Sequence, residues 1–313
     1  MRKVVASFLC IATLIARPSP TNAATTTEPA ATAPAPNYAA LVQASLKGDG
    51  QAQEQLYDAA HSGDANAQYE FGVYYYLINQ YADAFNWFQK AAEQGNADAQ
   101  ASLGALYAKG LGTKQDYRQA FNWIQKAAEQ GDVETENVLG DLYELGLGTK
   151  KDYDQAFNWF LKAALEGNAE AENNLGNCYK HGQGTKQDYT QAFNWYQKAA
   201  ERGDAGAEYN LGYVYALGQG TKQDFTQAFY WLQKAAEQGN SDAQSGLGGL
   251  YLHGQGTQQD YTQAFNWFQK AAEQGNAYAE NLLGSLYRSG RGTQQDYTQA
   301  FNWYQKAAEQ NNV

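Results

Sequence analysis

The stretch from Asp188 to Gly203, D-Y-T-Q-A-F-N-W-Y-Q-K-A-A-E-R-G, returns almost unchanged along the chain. A tryptophan marks each copy, and each tryptophan lies 36 residues after the one before it. The tryptophans are Trp87, Trp123, Trp159, Trp195, Trp231, Trp267 and Trp303. Even spacing over seven copies indicates a repeat architecture, in which each unit buries its apolar face against its neighbours.

Each unit is predicted to form two helices, and the second copy illustrates why. Asn96 suits the N-cap of helix A at Ala97–Lys109, and Gly110 supplies the backbone freedom that a helix end needs. Asp116 then begins helix B in a sequence that resembles a capping box, and Gly131 closes that helix.

The two helices of a unit are expected to cross closely. Helix B carries an apolar stripe at i, i+3, i+4 and i+7 spacing: Tyr117, Ala120, Phe121, Ile124, Ala127 and Ala128. Helix A keeps one glycine position in successive units: Gly104, Gly140, Gly176, Gly212, Gly248 and Gly284. Because a mid-helix glycine costs about 1 kcal/mol relative to alanine, we expect a bulky side chain of helix B, its Trp or Phe, to fill the space above it.

The full pattern, A-E-x-x-L-G-x-x-Y-x-x-G-x-G-T-x-x-D-Y-x-Q-A-F-x-W-x-x-K-A-A-x-x-G, resembles the Sel1-like repeat family over residues 67–313. The resemblance implies an all-α solenoid, a right-handed superhelix of antiparallel helix pairs related to the tetratricopeptide fold. It also implies an adaptor role in protein complexes. Because secreted bacterial members include one that binds a host immunoglobulin, host interaction is one expected role.

A cysteine-rich branch of that family implies an alternative function, namely penicillin-binding, β-lactamase or peptidoglycan-related activity. This chain lacks the regular cysteine pair that staples each repeat in that branch. The mature chain would hold one cysteine, Cys178, and no internal disulfide.

The N-terminal part differs in composition from the repeats. Residues 1–23 are typical of a signal peptide, with Arg2 and Lys3 before a 13-residue apolar run and the small Ala23 at the expected cleavage point. An uncleaved anchor is the alternative. We therefore expect export to the periplasm or beyond, with no membrane insertion of the mature chain.

Three further parts follow the leader. Residues 24–37 form an Ala/Thr/Pro-rich linker, and residues 38–66 a degenerate repeat that caps the array. Seven repeats are predicted at 67–98, 99–134, 135–170, 171–206, 207–242, 243–278 and 279–313. Because no capping helix follows the last repeat in this sequence, its final helix B is a candidate surface for self-association.

Net charge is −11, and removal of the first 23 residues, which hold three basic residues and no acid, would make it −14. An acidic body repels nucleic acid, so we expect a protein or peptide partner and no nucleic acid.

Comparison of the units within the chain separates constant from variable positions of helix A. The positions of Leu103 and Tyr107 keep Leu and Tyr in later units, whereas those of Asp98, Ala101, Ala105 and Lys109 change almost every time. The variable positions fall on one arc of about 120°. We predict that stacked arcs form a continuous groove for an extended partner, with drift at exposed positions as the alternative. The candidate contacts are Asp141, Asn173, Asn177, Tyr209, Tyr213 and His181.

No residue pattern predicts catalysis, a cofactor or a metal. Cys178 occupies a position that is Leu or Val in other units, which indicates a small core residue. His181 and His253 lie two units apart, too far to share a metal at about 10 Å per helix layer. The sequence has no Ser-x-x-Lys motif, and its G-x-G-T loops lead to an Asp that would repel phosphate, so we predict turns there and no enzyme.

Overall fold

The computed structural model describes residues 36–311, so the predicted leader and nearly all of the predicted linker lie outside the described residues. Sixteen helices and no strand make up the regular structure of the described part, which confirms the all-α prediction. Within residues 36–311, no helix combines the length and the apolar character that crossing a membrane requires.

The helices follow one another in pairs. The first pair is α1 (Tyr38–Leu46) and α2 (Gly50–His61). In the later pairs, helix A is α3 (Ala65–Leu77), α5 (Ala97–Lys109), α7 (Val133–Leu145), α9 (Ala169–His181), α11 (Ala205–Leu217), α13 (Ser241–His253) and α15 (Ala277–Ser289). Helix B is α4 (Tyr81–Glu93), α6 (Tyr117–Glu129), α8 (Tyr153–Leu165), α10 (Tyr189–Glu201), α12 (Phe225–Glu237), α14 (Tyr261–Glu273) and α16 (Tyr297–Asn311).

Local capping sets the helix ends, and α5 has the bounds that the sequence predicts. The Asn96 side chain accepts a hydrogen bond from the backbone N–H of Ala99 at 2.8 Å. Asp116 accepts from the backbone N–H groups two and three residues ahead, at 2.9 and 3.0 Å. Gly110 ends α5 in the left-handed conformation, with φ of +69°.

The close crossing of helix A and helix B is confirmed, but its filling residue is not the tryptophan. A Cβ atom at Gly104 would lie 2.7 Å from Ile124, and one at Gly176 would lie 2.6 Å from the Tyr196 ring. In each repeat the filling side chain follows the tryptophan: Phe88, Ile124, Phe160, Tyr196, Leu232, Phe268 and Tyr304. The tryptophan does not fill the space above the glycine, because it lies about 100° around the helix from the filling residue, beside the apolar stripe.

Stacking of successive repeats explains the constant loops and aromatic residues. The loops are turns, as predicted, and a Cβ atom at Gly112 (φ +70°) would overlap the carbonyl oxygen of Tyr81, at the start of the previous helix B. The phenylalanine of helix B also packs edge-on against the helix-A tyrosine of the next repeat, with ring centroids 5.1–5.3 Å apart. These pairs are Phe85–Tyr107, Phe121–Tyr143, Phe193–Tyr215, Phe229–Tyr251 and Phe265–Tyr287.

The described residues form two compact units, 36–163 and 164–311, and their boundary falls within α8. One hydrophobic cluster runs through the first unit from Val42 to Leu142. The clusters of the second unit include one around Leu211 and another around Leu283.

Candidate functional site

The variable arc of helix A, called here the helix-A face, consists of residues 98, 101, 102, 105, 108 and 109 of α5 and the equivalent residues of the other A helices. In the second unit this face is formed by α9, α11, α13 and α15. Five of the six residues predicted from the sequence lie on α9 and α11, and Asp141 lies on α7 of the first unit.

A hydrogen bond joins the faces of α9 and α11 in the second unit. The Nδ2 atom of Asn210 donates to Oδ1 of Asn173 at 2.9 Å. Both side chains are half-buried. Because the Asn173 carbonyl is used in this bond, its own amide N–H groups remain as donors on the face.

The side chain of Asn177 is hydrogen-bonded on its core-facing side by a buried tyrosine. The hydroxyl of Tyr196, on α10, donates to Oδ1 of Asn177 at 2.8 Å. Burial, with a smaller contribution from Cys178, raises the pKa of Tyr196, so the hydroxyl stays protonated and acts as the donor. The amide group of Asn177 is therefore oriented with its oxygen toward the core and its N–H groups away from Tyr196.

An aromatic pair and a lysine lie beside the asparagines. The rings of Tyr209 and Tyr213 are 6.1 Å apart, and Tyr213 is 41% exposed. The Nζ atom of Lys180 lies 5.1 Å from the centre of the Tyr213 ring. Burial lowers the pKa of this lysine. An ammonium group that is partly desolvated over an aromatic face interacts strongly with it, and Tyr is a common anchor at protein interfaces.

The face stays open beyond Tyr213. A Cβ atom at Gly249 of α13 would have no heavy atom within 4 Å, so the surface beside the tyrosine has room for a ligand side chain. His181, at the C-terminal end of α9, is exposed. Asn173, Asn177, Tyr209, Tyr213 and His181 therefore belong to one accessible surface of α9 and α11.

A carboxyl group borders this surface. A Cβ atom at Gly206 would lie 3.2 Å from both the Nδ2 of Asn173 and the Oδ1 of Asp204, the N-cap of α11. The pKa of Asp204 is raised to about 6, mainly by burial and to a smaller extent by Glu170 and Glu208, against the opposing effect of backbone N–H groups at the start of α11.

In the first unit the helix-A face is closed, so the expectation of a continuous groove is not met there. Ala101, Ala105 and Ala108 of α5 are fully covered and share one hydrophobic cluster with Tyr69 and Val73 of α3. Asp141, at the equivalent place on α7, is only 7% exposed.

The comparison with known proteins identifies the architecture. The family model of the Sel1 repeat matches residues 65–96, 97–132, 134–168, 169–204, 205–240, 241–276 and 277–312. The chain belongs to the Sel1 repeat family. Proteins with Sel1 repeats generally mediate protein–protein interactions.

Solved Sel1 repeat structures resemble the chain over most of its length. A Sel1 repeat protein from Oxalobacter formigenes is 33% identical with a TM-score of 0.70, over 76% of this chain and 95% of that one. A protective antigen of uropathogenic Escherichia coli with an SLR fold is 38% identical with a TM-score of 0.74. That match covers 83% of this chain and 56% of the antigen.

A curated relative matches a short segment. The ERAD-associated E3 ubiquitin-protein ligase component HRD3A of Arabidopsis thaliana is 38% identical over 58 residues. The match covers 17% of this chain and 9% of the plant protein.

Two contacts of the helix-A face, made by Lys180 and Tyr196, were not predicted, although both residues differ from their equivalents in most other repeats. Lys180 occupies the helix-A position of Ala108, where its charge makes it stand out. Tyr196 is a tyrosine where most repeats have Phe, Ile or Leu, and a buried tyrosine hydroxyl needs a partner. Cys178 is buried, as predicted for a small core residue.

Proposed function

We propose that this Sel1 repeat protein is a non-catalytic adaptor that binds a protein or peptide segment through the helix-A face of its second unit. The observation that carries the proposal is the cluster of the half-buried Asn177 and Lys180 with the exposed Tyr213, on a face that is closed in the first unit. Amide and ammonium donors suit backbone carbonyls and carboxylates, and a tyrosine suits an apolar side chain.

Site-specific photo-crosslinking tests this proposal. A photoreactive phenylalanine analogue at Tyr213 is expected to capture the partner, and the same analogue at Tyr230 is not. Tyr230 is a matched control, because it is a similarly exposed tyrosine on helix B. Equal capture from both positions, or capture from Tyr230 alone, would contradict the assignment of the face.

We also propose that the adaptor works outside the cytoplasm, in the periplasm or as a secreted protein, where a host protein is one class of partner. The basic start, apolar run and Ala23 of the leader support export. N-terminal sequencing of the protein from fractionated cells tests it: a mature start at Ala24 is expected, and an intact N-terminus in the cytoplasmic fraction would contradict it.

A second candidate function is self-association through α16, which one observation favours. Phe301 of α16 is 66% exposed, whereas the equivalent Phe265 is 9% exposed and packs against Tyr287. Light scattering at increasing concentration is expected to show dimers that Phe301→Glu abolishes. A monomer at all concentrations would exclude this role.

A further inference from the structure

The outer surface of helix B carries a regular polar pair in most repeats. A glutamine donates to the glutamate one turn later, with Nε2–Oε1 distances of 2.8–3.0 Å. These pairs are Gln89–Glu93, Gln125–Glu129, Gln197–Glu201, Gln233–Glu237, Gln269–Glu273 and Gln305–Glu309.

The third repeat replaces this pair with two leucines. Leu161 stands at the glutamine position and Leu165 at the glutamate position of α8. Leu165 is 71% exposed, more than any other exposed large hydrophobic residue of the described chain. A leucine that replaces a hydrogen-bonded glutamate exposes apolar surface with no gain in core packing.

A second departure lies next to Leu165. Arg202, at the end of α10, stands where five other repeats have Gln. Its Nε atom contacts the buried Glu172 at 3.2 Å, while its Nη atoms lie beside Gly167. The Arg202 side chain is 54% exposed, so the far edge of the guanidinium remains accessible to another carboxylate.

Both departures line one open cavity of about 340 Å³. Its apolar wall includes Leu165 and Trp195, and its charged rim consists of Glu172, Lys198, Glu201 and Arg202. Two carboxylates and two cations make this rim formally neutral.

The equivalent cavity in the last repeat provides the comparison. It has about 460 Å³ and is lined by Trp303, Glu273, Glu280, Lys306, Glu309 and Gln310. Here Glu273 stands in place of Leu165, and Gln310 in place of Arg202. Three carboxylates and one cation give this rim a formal charge of −2, so the cavity at Leu165 differs by a leucine in place of one carboxylate and by a less negative rim.

We propose that the Leu165 cavity is a second docking site, which accepts an apolar side chain of a protein partner that is flanked by a carboxylate. The apolar side chain packs between Leu165 and Trp195, and the carboxylate binds the outer edge of Arg202. Arginine and tryptophan are residues that concentrate binding energy at interfaces, and a rim with one carboxylate fewer and one cation more favours an acidic neighbour. The site lies at the ends of α8 and α10 with Glu172 of α9 in its rim, and it includes none of the residues of the helix-A face.

Fluorescence anisotropy with three labelled heptapeptides tests the site. Each peptide has a central Phe, flanked on both sides by Glu, by Lys or by Ser. The wild-type protein is expected to bind the Glu-flanked peptide about tenfold more tightly than the Ser-flanked one, since a charge-assisted hydrogen bond is gained.

Two variants exchange the cavities. Leu165→Glu with Arg202→Gln gives the Leu165 cavity the residues of the last repeat and is expected to lose the Glu-flanked peptide. Glu273→Leu with Gln310→Arg is expected to create a second site of similar affinity. Both variants use side chains that fold at equivalent positions, which thermal melting verifies. Unchanged binding by the first variant, preference for the Lys-flanked peptide, or no binding by the wild type would overturn the proposal.

Discussion

The two units of this Sel1 repeat protein share one scaffold and differ in the face that it presents. In the first unit, Ala105 is buried and shares one hydrophobic cluster with Tyr69 and Val73. In the second unit, the equivalent residues Asn177 and Tyr213 are accessible, and Lys180 lies over the tyrosine. The two units therefore differ in the accessibility of one helix arc, although their helices are paired in the same way.

The largest expected effect concerns the scaffold that both units share. Gly176→Leu in the second unit and Gly140→Leu in the first are each expected to lower the free energy of unfolding by about 3 kcal/mol or more. A Cβ atom would lie 2.6 Å from the Tyr196 ring at Gly176 and 2.5 Å from Phe160 at Gly140. Urea unfolding measures the change.

Gly249→Leu is the matched control for these variants. It lies on helix α13, where an added side chain meets open space, and leucine has a higher helix propensity than glycine. We expect Gly249→Leu to leave stability unchanged or raise it by about 1 kcal/mol. A similar loss of stability in all three variants would show that glycine is not required where helix A crosses helix B.

The next effect depends on pH and is confined to the border of the open face. Because burial raises the pKa of Asp204 to about 6, its protonated form is favoured in the folded state. The stabilisation is fully present below the ordinary pKa of about 3.9 and is lost as pH rises through about 6. Asp204→Asn, which keeps an N-cap, is therefore expected to raise the free energy of unfolding at pH 7 by about 1–3 kcal/mol and to have little effect near pH 4.

Urea titrations between pH 4 and pH 8 measure this difference. Asp224→Asn is the control, because Asp224 caps α12 on an exposed surface. A pH-independent difference between Asp204→Asn and the wild type would contradict the buried-carboxyl account.

A smaller effect separates the structural role of Asn177 from its proposed binding role. Asn177→Ala leaves the buried Tyr196 hydroxyl without its acceptor and is expected to cost about 1–2 kcal/mol. Asn177→Asp keeps an acceptor oxygen and is expected to preserve more of the stability while removing the amide donors.

A double-mutant cycle measures this coupling. Tyr196→Phe is expected to offset most of the cost of Asn177→Ala, because Phe160 and Phe268 occupy the same position in other repeats. Additive losses in the double variant would show that the Tyr196–Asn177 bond contributes nothing.

Much of the fold could be predicted from the sequence because its determinants are local. Asn96 and Gly110 set the bounds of α5, and the repeat period sets the pairing. The filling residue of the crossing was assigned less well, since Trp123 is larger than Ile124 but lies beside the stripe that faces Gly104. The size of a side chain does not show toward which side of the helix it lies.

The candidate site could be predicted only in part. Variability between units predicts Asn177 and Tyr213, which are accessible, as candidate contacts. It predicts Asp141 equally, although Asp141 is buried. Asp141 is buried in the structure, and a comparison of equivalent positions carries no information on burial. The Leu165 cavity was not predicted, because the comparison between units covered positions of helix A and not those of helix B.

Thiol accessibility tests the difference between the two faces most directly. In a chain with Cys10→Ser and Cys178→Val, single cysteines are introduced as Ala105→Cys and Gly249→Cys and reacted with a thiol reagent under native conditions. Valine suits position 178, because Val214 occupies the equivalent place. We expect the thiol at 249 to react about a hundredfold faster than that at 105, whose reaction requires local unfolding. Equal rates at both positions would contradict the closed first face and the open second face.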